Sequence, residues 1–345
     1  EAVFTVDEEV GMDGAFALDC SDLKGRRLLN LDSEMEGVFT VSCAGGMRSD
    51  CFFPAALTPA EGMDVCKLTI SGLQGGHSGA DIHLGRGSAN RLMGRVLCAA
   101  LEKFPGLRLA AIDGGEFDNV ICSRCEATVA LPAEKGEAFA AFARELDAAL
   151  KNEYAVTDPG VALECVPSSA DRAVSPERTA VLLRALAVLP HGVEAMDTDF
   201  PGLVQTSLNM GVVRLDDAGL HVTFSIRSST ASRKEMLAQR VRAAAELAGG
   251  TVTERGVYPG WQYRRDSQFR ETLLAAYKDL TGKDGVVEAT HGGLECGLFM
   301  EKLPGLDAVS LGPDIPDIHS VRERLGVSSV ARTYALVCEV LRRSV

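Results

Sequence analysis

No stretch of this chain holds the roughly 20 consecutive apolar residues needed to cross a bilayer, so no membrane span is expected. Basic residues are in deficit. The 35 Lys and Arg against 48 Asp and Glu leave a net charge of -13, and phosphate backbones call for clustered cations, so nucleic acid is excluded as a partner. Cys122 and Cys125 form a CxxC, but no second cysteine pair or histidine pair stands near it at finger spacing, and neither a metal nor a redox role is expected there. The other cysteines, such as Cys98, Cys296 and Cys338, sit in Ala- and Leu-rich segments as buried thiols do, which fits a reducing, cytoplasmic compartment. A Ser-centred elbow between strand and helix is also missing, which removes Ser78 as a nucleophile. What remains is an ordinary globular composition, 46% hydrophobic and 24% charged over 345 residues, enough for two domains or one large one.

The chain opens at Glu1 and runs straight into Val3 to Val6, which reads as a buried strand ending in Asp7-Glu8-Glu9. A domain rarely begins in mid-sheet, so further sequence upstream is expected. Gly11 to Leu18 reads as a helix, Arg27 to Leu31 as a strand ending at Asp32, and Gly37 to Cys43 as a strand stopped by Gly45-Gly46. Acids at strand ends suit an α/β sheet with its site at the carboxyl edge. The texture then changes. Strand 66–72, helix 88–104, strands 107–112 and 122–131, helix 134–154 and strand 162–166 follow a ferredoxin-like order. A second, weaker copy follows as helix 175–189, strands 208–213 and 220–225, helix 232–248 and strand 251–256. The α/β texture returns from Ser267 and closes on an amphipathic helix, 328–343. The expected architecture is an α/β domain (1–47 and 262–345) interrupted by an inserted α+β domain (48–261) made of two ferredoxin-like halves.

Adjacent carboxylates repel unless a cation or a shared proton offsets them, so Asp7-Glu8-Glu9 is costly without a purpose, although a solvated loop would also accommodate it. Asp32, at the end of another strand, brings a further acid to the same edge, and three carboxylates there suit a divalent metal with one left as general base. Gly75-Gly-His-Ser-Gly79 sets His77 in a glycine cradle that lets the backbone approach a ligand. Thr290-His-Gly-Gly-Leu-Glu-Cys-Gly297 places Glu295 at a helix opening able to receive a carboxylate. His319 follows strand 308–311 and a Pro-rich loop, a plausible place for an imidazole ligand.

TVDEEVGMDGA, LLNLDSEMEG, CAGG, LTISGLQGGHSGADIHLGRGSAN, TSLNMGVV, IRSS, HGGLECGLF and LGPDIPDIHS occur in one order. Together they resemble the aminoacyl-histidine dipeptidases (Xaa-His dipeptidase, peptidase D, cytosolic non-specific dipeptidase-like). These are a branch of the co-catalytic zinc aminoacylase and carboxypeptidase superfamily. The resemblance covers nearly the whole chain. It implies a three-layer α/β/α zinc-peptidase domain carrying a lid, a homodimer formed through that lid, and hydrolysis of dipeptides such as carnosine with two Zn2+ ions per site (Co2+ or Mn2+ as alternatives). By the same resemblance Glu8 would be the general base, Glu9 a ligand of one zinc together with His319, and Asp32 a ligand of the other. His77 would polarise the scissile carbonyl, Asn209 and Arg227 would contact the substrate's carboxylate end or backbone, and Glu295 would be a substrate contact or an acid behind one. Asn119 falls where the family has an Asn near a Pro, but here Cys122 stands in place of that Pro.

The resemblance also implies a His-x-Asp and a metal-bridging Asp ahead of the TVDEE segment. His77, His83, His191, His221, His291 and His319 all lack Asp two places on, and the bridging acid has no candidate. Roughly a hundred residues or more are expected to precede this chain, a small domain's worth. The chain as given is accordingly expected to bind zinc poorly and to be inactive. The alternatives are a related tripeptidase, aminoacylase or deacetylase, or a non-catalytic scaffold that has shed its metals.

Overall fold

The computed structural model describes residues 1–9 and 11–344. In chain order they form α1 (Asp13–Ala17), β1 (Arg27–Asn30), β2 (Val38–Cys43), β3 (Gly45–Pro54), β4 (Leu57–Pro59), β5 (Asp64–Ser71), α2 (Ala89–Lys103), β6 (Arg108–Gly114), β7 (Cys125–Leu131), α3 (Gly136–Glu153), β8 (Ala162–Pro167) and β9 (Arg172–Val174). There follow α4 (Pro176–Val188), β10 (Gly192–Met196), β11 (Val204–Leu215), β12 (Gly219–Ser228), α5 (Ala231–Leu247), β13 (Thr251–Tyr258), α6 (Gln268–Thr281), β14 (Val286–Thr290), α7 (Cys296–Lys302), β15 (Asp307–Ser310) and α8 (Val327–Arg343).

The smaller sheet runs β1-β15-β2-β14, with β1 parallel to β15 and β2 parallel to β14. Its core holds Phe39, Val41, Trp261, Leu273, Val309, Leu336 and Val340, and α6 and α8 supply part of it. Local chemistry explains α6. Ser267 Oγ accepts from the Arg270 amide at 2.9 Å and donates to Asp307 Oδ1 at 2.7 Å, while Gly282 closes the helix at φ 71°. A second cluster, Met12, Ala15, Leu298 and Phe299, joins α1 to α7.

The larger sheet runs β13-β3-β12-β11-β6-β7-β5-β8. Within it β5, β6, β7 and β8 are the four strands of one ferredoxin-like unit in spatial order β8-β5-β7-β6, with α2 and α3 as its helices. The second unit has the same order, β13-β3-β12-β11, with α4 and α5. The two copies do not follow one another. The second takes β3 as its first strand, so the first copy is nested between β3 and α4. They join edge to edge where Val213 and Arg214 of β11 pair with Gly114 and Asp113 of β6. One buried core, from Met47 and Phe53 to Leu237 and Val241, runs under both.

Two expectations are corrected. Val3 to Val6 is not a buried strand. No strand lies along it among the described residues, and Phe4 is 92% exposed. A strand needs a neighbour to satisfy its amides, whatever its apolar pattern. Gly45-Gly46, expected to stop a strand, instead opens the ten-residue strand Gly45–Pro54, which straddles the expected boundary at residue 48. It pairs along its length with β12 and β13, which screens Arg48, Ser49 and Asp50 within a sheet that their polarity disguises.

The chain crosses between the sheets twice, at 43–45 and 258–261. There Cys43 bridges Trp261, and a Cβ on Gly45 would lie 2.3 Å from the Gly260 amide nitrogen, so only glycine permits the crossings to touch. The buried Lys234 ammonium donates to the carbonyls of Gly46 and Tyr258, one on each crossing.

Candidate active site

Asp32 follows β1 and His319 follows the parallel neighbour β15, so both lie beyond the carboxyl ends of adjacent strands. A polar seam ties those ends together. Ser33 Oγ and Ser310 Oγ are 2.8 Å apart, Ser310 Oγ donates to Asn30 Oδ1 at 2.6 Å, and Asn30 Oδ1 accepts from the Asp32 amide at 3.1 Å. The loop toward His319 is anchored by the Ile315 amide on Glu34 O at 2.9 Å and the Asp314 amide on Ser329 Oγ at 2.9 Å. Glu9, from the opening segment, meets that loop. His319 Nε2 lies 3.0 and 3.2 Å from the two Glu9 carboxylate oxygens, across 310 positions of sequence.

These loops are strained. Of the five non-glycine residues with positive φ among those described, Asp7, Met12, Asp317 and His319 flank this contact. Left-handed backbone is uncommon outside glycine, and surrounding structure must hold it there. The charges crowd as well. The Glu8 carboxyl is pushed above its ordinary range by desolvation, then by Asp32, Glu9 and Glu295, with His319 opposing. Asp32 is pushed up likewise, by desolvation and then Glu295, although its side chain still reaches solvent. His319 is raised by its hydrogen bond to Glu9. Glu295 is buried at the foot of α7. Its Oε2 accepts from Thr5 Oγ1 at 3.0 Å, and its Oε1 has no protein partner.

A second group faces this one from the larger sheet. His77 Nδ1 accepts from the amides of Gly79 (3.3 Å) and Ala80 (3.1 Å), which fixes the neutral ring with its proton on Nε2. Partial desolvation and then Arg227 hold His77 below the usual histidine value. Arg227, on β12, reaches Tyr258 Oη at 3.4 Å and leaves its buried Nε unpaired. Asn209, on β11, spends both amide protons on Asp118 O and Val120 O at 2.8 Å each. That grips the turn carrying Asn119, whose carbonyl accepts from the Ser78 amide at 2.8 Å. Asn209 and Asn119 thus brace the His77 cradle through backbone, and Asn209 Oδ1 is left buried and free. No hydrogen bond joins His77, Arg227 or Asn209 to the carboxylates.

The expected acids and His319 therefore converge, and His77, Arg227, Asn209 and Asn119 form a neighbouring group. A metal site needs more. Zinc takes three or four protein ligands, and among the described residues no three His, Cys, Asp or Glu side chains are arranged to hold an ion. Glu9 and His319 make a two-donor beginning, and the residues present do not by themselves complete it. Cys122 and Cys125 offer nothing here. Both are buried, with the Cys122 thiol raised to about 11 by desolvation and Cys125 higher still.

A model of a peptidase dimerisation domain matches residues 68–158. The cytosol non-specific dipeptidase of Escherichia coli (strain K12) is 36% identical over 345 residues, covering 99% of this chain and 71% of that protein. The chain belongs to the M20 dipeptidase family. The crystal structure of aminoacylhistidine dipeptidase from Vibrio alginolyticus superposes with a TM-score of 0.92 at 36% identity, over 98% of this chain and 69% of that one. M20 peptidases are thus the frame for both groups of residues. Sequence reasoning gave no role to His291, Ser207 or Tyr258. His291 lay in view inside the Thr290–Gly297 string and Ser207 inside TSLNMGVV, whereas Tyr258 sits at a strand end without local distinction.

Proposed function

We propose that this M20 chain carries the peptide-binding cleft and the proton-transfer machinery of a zinc-dependent dipeptidase acting on Xaa-His substrates such as carnosine. The parts of the chain that build the smaller sheet serve as the catalytic domain, and the inserted part that builds the larger sheet, from β3 to β13, as a lid through which two copies pair in the cytoplasm. The observation that carries it is the Glu9–His319 contact with the raised Glu8 carboxyl beside it. Glu8 is the general base, because a carboxylate whose pKa moves toward neutrality takes and returns a proton more readily. It removes a proton from water, the water oxygen bonds to the scissile carbonyl carbon, and Glu8 delivers that proton to the amine nitrogen as the C–N bond breaks. His77, with its proton on Nε2, donates to the carbonyl oxygen as charge develops. Glu9 and His319 are the metal-binding donors on one side and Asp32 on the other. These donors do not by themselves complete a zinc site among the described residues, so this chain is expected to bind zinc weakly.

The unpaired Arg227 Nε and Asn209 Oδ1 beside the His77 cradle allow a second reading, a cleft that binds dipeptides without cleaving them. One experiment separates the two: equilibrium binding of carnosine and alanyl-histidine, together with amine release, with Zn2+, Co2+ and Mn2+ each supplied. Binding with turnover that Glu8→Gln abolishes supports hydrolysis. Binding without turnover supports the second reading, and absence of both refutes the peptide site.

A further inference from the structure

Nine buried side-chain atoms have no hydrogen-bond partner among the described residues. Five of them, Ser78 Oγ, Asn209 Oδ1, Arg227 Nε, His291 Nδ1 and Glu295 Oε1, lie on the His77 cradle, on β11 and β12 and on the loop 290–295, segments tied together by the Ser207–His291, Asn209–Asp118 and Ser78–Asn119 hydrogen bonds. A buried polar atom left unpaired costs about 1–3 kcal/mol, so a cluster of them marks a place where something else completes the bonds. His291 is the member with no role so far. It is 6% exposed, and its Nε2 lies 2.8 Å from Ser207 Oγ. Ser207 stands opposite Arg227 in the β11–β12 ladder, so the ring is pinned beside the guanidinium.

The bonding decides which nitrogen holds the proton. Ser207 is 1% exposed, and its hydroxyl has no other partner. If Nε2 donated to it, the hydroxyl proton would be left buried without an acceptor. The satisfied arrangement has Ser207 Oγ–H donating to Nε2, which places the ring proton on the unpaired Nδ1. Desolvation, then Arg227, His77 and His83, hold the imidazole down to about 3, so it is uncharged at neutral pH. An unpaired N–H beside Arg227, whose own Nε–H is also unpaired, offers two donors to two oxygens.

We propose that His291 is a specificity residue that donates, through Nδ1–H and alongside Arg227 Nε–H, to the terminal carboxylate of the bound dipeptide. The proposal rests on the peptide-site reading above. It makes recognition of a free C-terminus depend on a neutral, serine-held imidazole, and a peptide amide in the same place loses the paired acceptor. Charge-assisted hydrogen bonds are worth about 1.5–3 kcal/mol, which corresponds to roughly tenfold to a hundredfold in affinity.

The test compares the affinity of alanyl-histidine with that of its C-terminal amide for the wild-type chain, His291→Phe and Ser207→Ala. The wild type is expected to prefer the free acid. His291→Phe should lose roughly tenfold or more of that preference with amide binding little changed, and Ser207→Ala, which frees the ring to exchange its proton, should lose part of it. An unchanged acid-to-amide ratio in a folded His291→Phe overturns the proposal and leaves the peptide site standing. A wild type that binds neither ligand refutes the site itself and this role with it. Nitrogen-15 correlation spectra of the ligand-free wild type give a second reading: a His291 proton on Nε2 rather than Nδ1 refutes the assignment whether or not the variants fold.

Discussion

Gly45→Ala should force apart the two chain crossings that join the sheets. An added Cβ would meet backbone on every side, with Gly260 N at 2.3 Å, Pro259 C at 2.6 Å and Tyr258 O at 2.7 Å. None of these is the free end of a side chain, so relief requires moving the second crossing itself. Overpacking of this kind costs about 1–3 kcal/mol. With a urea dependence of about 3 kcal/mol per molar, the unfolding midpoint should fall by roughly 0.3–1 M. The sequence supplies its own probe, because the single tryptophan, Trp261, is 1% exposed and bridges Cys43 at this point. The variant's emission in the absence of denaturant should therefore shift to the red as water reaches the ring. Gly62→Ala is the comparison. Nothing lies within 4 Å of its added Cβ, so only the left-handed backbone (φ 71°) costs about 1 kcal/mol, and the emission should stay put. A Gly45→Ala protein with unchanged emission and midpoint would refute the close packing of the crossings.

Glu8 and Asp32 have raised folded-state values, so their share of stability is greatest in acid and is lost as pH rises through the carboxylate range. Glu8→Gln should accordingly raise the melting temperature relative to wild type more at pH 7 than at pH 4. A gap that is constant or reversed would sink this account. The His319–Glu9 ion pair runs the same way in pH, being complete below histidine's ordinary value and lost as pH climbs through the raised one. In an NMR titration Glu9→Gln should bring His319 back toward its ordinary value, and no change would show that the contact does not form in solution. Contrary to the expectation from its Ala- and Leu-rich segment, Cys338 is exposed, because it lies on the outer face of α8, whereas Cys122 and Cys125 are buried with raised thiols. A thiol reagent should modify Cys338 in the native protein well before that pair, and early loss of the pair would contradict their burial.

How far the sequence could be read depended on the range of the interaction. Periodicity marked β1, β2 and the helices α2 to α5 and α8 because burying one face repeats every two or 3.6 residues, a property of the segment alone. It failed at Val3 to Val6, where an apolar run has no neighbour, and at Gly45–Pro54, where polar residues lie inside a sheet whose other strands are remote in sequence. The acids and histidines of the site were legible by type and by resemblance, since a residue's chemistry travels with its name.

Their grouping was not legible. That Asp32 and the His319 loop share one sheet edge depends on β1 lying parallel to β15, and the pairing of Ser207 with His291 on β11 standing where the smaller sheet's loop ends. The nesting of one ferredoxin-like unit inside the other follows from β3 choosing β12 and β13 as neighbours. The sequence alone determined which residues could do chemistry and those helices and strands whose burial pattern repeats within the segment. Tertiary structure alone decided which of them meet, because hydrogen bonding between strands and burial of polar groups are satisfied only by partners that the chain brings back from far away.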